Sequence, residues 1–197
     1  MNAMLKLPFP IPTLEEPEVP EGFELSRGRL VEKLSSCGSD WVTGQIIMAL
    51  GQFCRVSKLG WVFPETVYRC FPRPRKAVRK PDASVILRGR LPNIQRGNGD
   101  LFIPPDLVVE VISPNDKVYD LEEKIEDYLA VQVPLIWIVN PNSRSVYVYR
   151  LNHPLARLTD QDELSGEDIL PGFRCRIAEI LPEPELETVP PETSEAT

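Results

Sequence analysis

The run Leu107-Val-Val-Glu-Val-Ile112 constrains the fold more than any other part of the chain. Five of its six side chains are apolar and four of those are β-branched, with no polar alternation that would leave one face in water. Such a strand must be covered on both faces, which places it inside a sheet flanked by helices. Leu121, Ile125, Tyr128 and Leu129 recur at helical spacing, so a helix over about 120–131 is expected to supply one cover. Residues 135–139 and 145–149 then read as two strands around a turn at 141–144. A strand–helix–strand unit of this length favours a right-handed parallel crossover.

The upstream half completes the pattern. Residues 23–31 read as a hairpin turning near Arg27-Gly28. A helix is expected from Ser39 or Asp40, either of which can cap it, with Val42, Ile46, Leu50 and Phe53 on its core face. Short β runs follow at 61–63, 66–68 and 83–87, and the Gly-containing stretch 88–105 reads as a loop. A Pro-Gly-Phe segment and a short terminal helix close the domain. The fold class expected is α/β, a mixed central β-sheet flanked by helices. The globular part is assigned to 22–181, between a Pro- and Glu-rich tail at 1–21 and an acidic tail at 182–197. Both tails lack the apolar surface needed to offset their ordering entropy.

Composition removes several function classes. Cys37, Cys54, Cys70 and Cys175 are widely spaced with no C-x-x-C pair, which argues for buried free thiols rather than disulfide staples or a zinc knuckle. The single histidine, His153, cannot build a multi-histidine metal site, and no G-x-S-x-G elbow accompanies it for a serine triad. No apolar run approaches the ~20 residues of a bilayer span, and the start of the chain is too Pro-interrupted for a signal-peptide core, so a cytoplasmic address and no membrane partner are expected.

The net charge of -7 looks hostile to nucleic acid until it is divided along the chain. Residues 1–21 carry -3 and residues 179–197 carry -6, leaving +2 for the remainder. Within 69–96 there are nine bases, among them Arg73, Arg75, Lys76, Arg79 and Lys80, against one acid, Asp82. These bases form either a solvated surface or a phosphate-facing patch around a placed carboxylate. Glu110, inside the apolar strand, requires either an ion pair or a metal. Asp82 opens the 83–87 run and is either a strand-start residue or its partner. Two carboxylates on neighbouring strands can bind Mg2+, with waters and a phosphate oxygen completing its octahedron, and such a metal polarises a phosphodiester.

These stretches resemble a known family. Val-Arg-Lys-Pro-Asp-Ala-Ser-Val (78–85), Pro-Pro-Asp-Leu-Val-Val-Glu-Val-Ile-Ser-Pro (104–114), Lys-Ile-Glu-Asp-Tyr-Leu-Ala (124–130), Val-Pro-Leu-Ile-Trp-Ile-Val-Asn-Pro (133–141) and Val-Tyr-Val-Tyr (146–149) are similar to the putative restriction endonuclease family of the PD-(D/E)XK nuclease superfamily. The resemblance covers residues 22–181 and implies a restriction-endonuclease-like core that hydrolyses DNA phosphodiesters with Mg2+ or Mn2+. It implies that Asp82, Glu110 and the Val111 carbonyl hold the metal. Ile112 stands where the motif lysine would fall, and the resemblance implies that Lys124, from the following helix, replaces it. Together Asp82, Glu110 and Lys124 are the expected catalytic set. Asp106 and Glu32 are additional candidates, each more readily explained as a strand-start or surface residue.

Two departures bear on activity. Ser39-Asp40-Trp41 replaces a histidine that the family commonly carries near the start of the first long helix. Gln132-Val-Pro-Leu-Ile-Trp137 replaces its usual Gly-Val-Pro-Glu-Tyr-Trp. The alternatives are a nuclease fold that has lost cleavage and binds nucleic acid or a protein, and an interaction protein recruiting partners through its acidic tails. Restriction enzymes of the superfamily often pair two sites, which makes a homodimer possible, but no residue of this chain specifies one.

Overall fold

The computed structural model describes residues 18–71, 77–91 and 99–183. Most of both expected tails therefore lies outside the described residues. Strands β1 (Phe23–Ser26) and β2 (Arg29–Glu32) form the expected hairpin. Its two turn residues, Arg27 and Gly28, have φ of 48° and 81°, the left-handed pair that a tight two-residue hairpin turn requires.

Helix α1 (Cys37–Ser57) begins earlier than expected, because Ser36 is its cap. The Ser39 amide donates to Ser36 Oγ at 3.2 Å while Ser39 Oγ accepts from the Ser36 amide at 2.9 Å, a reciprocal capping box. Ser39 is thus the third residue of the helix, and its place in the box could not be told from a cap by residue type alone. Val42, Ile46, Leu50 and Cys54 form the buried stripe. Among the cysteines, Cys54 and Cys70 are buried as expected, but Cys37, the first residue of α1, is exposed and Cys175 is half-buried.

The main sheet runs in the order β3 (Gly60–Pro64), β4 (Ala83–Leu87), β5 (Leu107–Val111), β6 (Leu135–Asn140), β7 (Ser145–Arg150) and β8 (Ala156–Thr159). Only β5 and β6 pair in parallel, across helix α2 (Val118–Ala130). The mixed α/β architecture is therefore as expected, with β8 added as an edge strand. Residues 66–68 do not form a strand. Tyr68 makes isolated bridges to Arg79 and Leu101, and its buried hydroxyl shares a 2.8 Å hydrogen bond with Ser84. The loop after β4 opens with a 3-10 turn at Arg88–Arg90. A short hairpin of β9 (Glu163–Ser165) and β10 (Arg174–Arg176) leads into α3 (Ile177–Ile180).

Strand alternation sorts the sheet into two cores. Val85, Leu107, Val109, Val111, Trp137 and Val139 face α1 and α3, where Trp137 stacks on Phe173 at 5.9 Å between ring centres. Ile86, Val108, Ile136 and Ile138 face the other way, against Ile125 and Tyr128 of α2. Leu129, expected on that apolar face, is instead 36% exposed. Asp127 takes the inward position, because a buried arginine waits there.

The turn that seats Phe173 has no spare room. A Cβ on Gly166 would lie 2.4 Å from the Leu170 carbonyl oxygen and 2.9 Å from Phe173 Cβ. Gly166→Ala should therefore destabilise the fold by about 1–3 kcal/mol, read as a lower urea midpoint with an unchanged slope. An unaltered midpoint would show that the turn relaxes freely.

Candidate functional site

Alternation along β5 turns Val109 and Val111 toward α1 and leaves Glu110 facing α2. The antiparallel register pairs Ala83 with Val109, so continuing it by one residue sets Asp82 opposite Glu110. The two carboxylates thus meet where β4 begins and β5 ends. Both open into a cavity of about 560 Å3 formed by the β1–β2 hairpin, these strand ends and the first turns of α2.

Each carboxylate is held by two donors. Tyr128 Oη donates to Glu110 Oε1 at 2.6 Å and Lys124 Nζ to Glu110 Oε2 at 3.2 Å. These two donors lie one helical turn apart on α2, so a single helix face orients the acid. The Val111 amide donates to Asp82 Oδ2 at 2.7 Å, and Lys33 Nζ lies 2.7 Å from Asp82 Oδ1. Behind them sits Glu24, 1% exposed, 3.2 Å from Lys124 Nζ and accepting the Lys80 amide at 2.6 Å.

Asp82, Glu110, Val111 and Lys124 therefore come together on the lining of this one cavity. Glu32 is exposed but also lines the cavity. Asp106 does not join them. It accepts the Leu87 amide at 2.8 Å and Arg90 Nη1 at 2.7 Å, an anchor for the 3-10 turn after β4. The expected phosphate-facing patch is altered most at Arg79, which is 1% exposed and cannot meet a phosphate. Its guanidinium bonds Asp127 at 2.9 and 2.5 Å and Ser26 Oγ at 2.9 Å, and lies 3.5 Å from Glu24. Lys80 is mostly buried and pairs with Glu65 at 3.2 Å. Arg73, Arg75 and Lys76 fall outside the described residues.

Two site residues were invisible to sequence reasoning. Glu24 lies in a four-residue strand whose pattern marks no buried acid, and Lys33 follows that hairpin about fifty residues before its partner.

The electrostatics follow from burial. Removal from water pushes the Glu110 carboxyl up to about 7, with Asp82 and Glu24 adding to the rise and Lys124 opposing it. Burial also pushes Glu24 up, but the combined fields of Lys124, Arg79 and Lys33 reverse this and leave it below its ordinary range. Burial lowers Lys124, and Glu110, Glu24 and Asp82 overcome it, so its ammonium is held well above the usual range. Lys33 is raised in the same way, by Asp82 and Glu110 against burial.

Six carboxylates and four basic side chains line the cavity, an acidic excess. Among the described residues no three Asp, Glu, His or Cys side chains form a closed cage. The residues present fit a hard divalent cation that rests on two carboxylates and keeps open positions for water and substrate oxygens.

A family model described as putative restriction endonuclease matches residues 12–178. The fold is similar to a crystal structure of a putative nuclease from Anabaena variabilis, with a TM-score of 0.70 and 18% identity over 85% of this chain and 92% of the other. No curated protein matches the chain significantly. Among the described residues no helix is long and apolar enough to cross a membrane.

The raised carboxyl of Glu110 has a measurable signature in chelator-treated protein. A folded-state value near 7 against an ordinary 4.5 means that the native state binds the extra proton. Its contribution to stability is therefore full below about pH 4.5 and lost as the pH rises to 7. The melting temperature of wild type should fall relative to Glu110→Gln across that interval and run parallel to it above. A difference independent of pH would refute the assignment.

Proposed function

The chain belongs to the putative restriction endonuclease family, and from that membership we propose that it is a metal-dependent endonuclease hydrolysing DNA phosphodiesters. The observation that carries this reading is the convergence of Asp82, Glu110 and Lys124 on one acidic cavity. Asp82, Glu110 and the Val111 carbonyl would hold Mg2+ or Mn2+. When bound, the cation supplies Lewis-acid polarisation of the phosphodiester and cancels the acidic excess that would otherwise repel it.

The protein's own groups do the rest. Tyr128 and Lys124 fix the Glu110 carboxylate, and Asp82 is fixed by the Val111 amide. Lys124 remains protonated at neutral pH, so it acts through charge and not as a base. Its ammonium, braced between Glu24 and Glu110 at 3.2 Å from each, can orient the attacking water and offset charge on the pentacoordinate phosphate. Arg79 and Asp127 brace Glu24 and α2 from behind and touch no reacting atom.

A second reading is a nuclease fold that binds nucleic acid or a protein without cutting. It is favoured by one observation, that ammonium groups already neutralise Asp82 and Glu110 without any metal.

Supercoiled plasmid incubated with Mg2+ or Mn2+ separates the two. Nicking that disappears in Glu110→Ala and in EDTA supports the nuclease. DNA binding without cleavage supports the second reading, and equal cleavage by wild type and mutant removes the site assignment. Within the nuclease reading, Lys124→Ala should lower kcat by about 100-fold or more; an unchanged kcat would remove that lysine from the reaction.

A further inference from the structure

All four carboxylate oxygens of Asp82 and Glu110 carry a donor. Two of these donors are immovable. The Val111 amide is part of the sheet, and Tyr128 is fully buried between α2 and β5. Lys124 is braced a second time by Glu24, which the Lys80 amide and Arg79 hold in turn. Lys33 differs. Its side chain is 10% exposed, and besides Asp82 it touches the Lys80 carbonyl at 2.7 Å and the half-exposed Glu65 at 3.4 Å. It stands just past the end of β2, on the lining of the cavity, with a flexible stem.

We infer that Lys33 is the resident counter-ion of the proposed metal centre, which a divalent cation must displace from Asp82 Oδ1, and that it sets the cation affinity and selectivity of the site. This rests on the metal-centre reading above. The reasoning is electrostatic. At equal distance a monovalent ion carries no more charge than the ammonium it would replace, so it gains no Coulomb energy on the carboxylate, whereas a divalent ion doubles that attraction. The ammonium also satisfies Asp82 Oδ1 while no metal is present, so this half-buried carboxylate, whose other oxygen accepts the Val111 amide, is not left without a counter-charge. Once displaced, Lys33 retains Glu65 and the Lys80 carbonyl as partners, so its release leaves no charge stranded. Lys124, held by two buried acids, stays in place as the cation enters.

The test is calorimetric titration of the full chain with Mg2+ and Mn2+, accompanied by the rise in melting temperature at saturating metal. Lys33→Met should bind Mg2+ about tenfold more tightly than wild type, and K+ should now compete measurably. Lys33→Arg, which keeps the charge, should stay near wild type. If Lys33→Met does not fold without metal, its refolding on addition of Mg2+, followed by circular dichroism, reports the same exchange. Unchanged or weaker Mg2+ binding by a folded Lys33→Met overturns the inference while leaving the metal centre intact. Absence of binding in wild type and Lys33→Met alike overturns the metal centre itself. Asp82→Asn, which should lose binding in both backgrounds, ties the signal to this site.

Discussion

An ionised carboxylate in a strand buried on both faces must have its lost hydration replaced by the protein, or it costs several kcal/mol. Glu110 imposes this requirement on its whole surroundings. Tyr128 and Lys124 come from α2, Lys33 from the end of the hairpin, and Glu24 from inside it. Arg79 then closes a second tier with Asp127 and Ser26. The hairpin therefore docks on α2 through charge. Removing one member of such a network strands its partners, so its parts are held more by the penalty of disruption than by net stabilisation.

The sheet divides its two faces between stability and chemistry. On the α1 side Val85, Val109, Val111, Trp137 and Val139 form an apolar core closed by Phe173 and α3. On the α2 side the apolar layer of Ile86, Val108, Ile136 and Ile138 gives way at one end to the charged cluster. Burial on the first face contributes the free energy that offsets ordering polar groups on the second. The cavity lies at the terminus of β5, at the edge of the parallel β5–β6 pair, where strand ends leave backbone and side chains free to meet a ligand.

The consequence for chemistry is a site whose acids and bases are tuned by one another. The same burial that raises Glu110 would raise Glu24, yet Glu24 stays low because three cations surround it. A divalent cation bound as proposed would replace charge that the protein already supplies at Asp82, so the ammonium-paired site and the proposed loaded site would be alternative solutions to one electrostatic demand.

Much of this was legible in the sequence. The apolar strand with its single acid, the helical spacing of α2 and the order of elements specify a mixed sheet covered on both faces, and Asp82 and Glu110 stand out as paired acids of the candidate site, whereas Lys124 joins them only through the family resemblance. These signals are local, since period and residue type survive in one dimension. Tertiary structure alone decided which charges meet. Arg79 sits among surface-like bases in the sequence but is buried against Asp127, 48 positions away. Lys33 and Glu24 join the site from a hairpin whose pattern shows nothing unusual, and Leu129 yields the inward position to Asp127. A pairing between distant charges leaves no periodic trace, because Coulomb attraction depends on distance in space and carries no sequence spacing of its own.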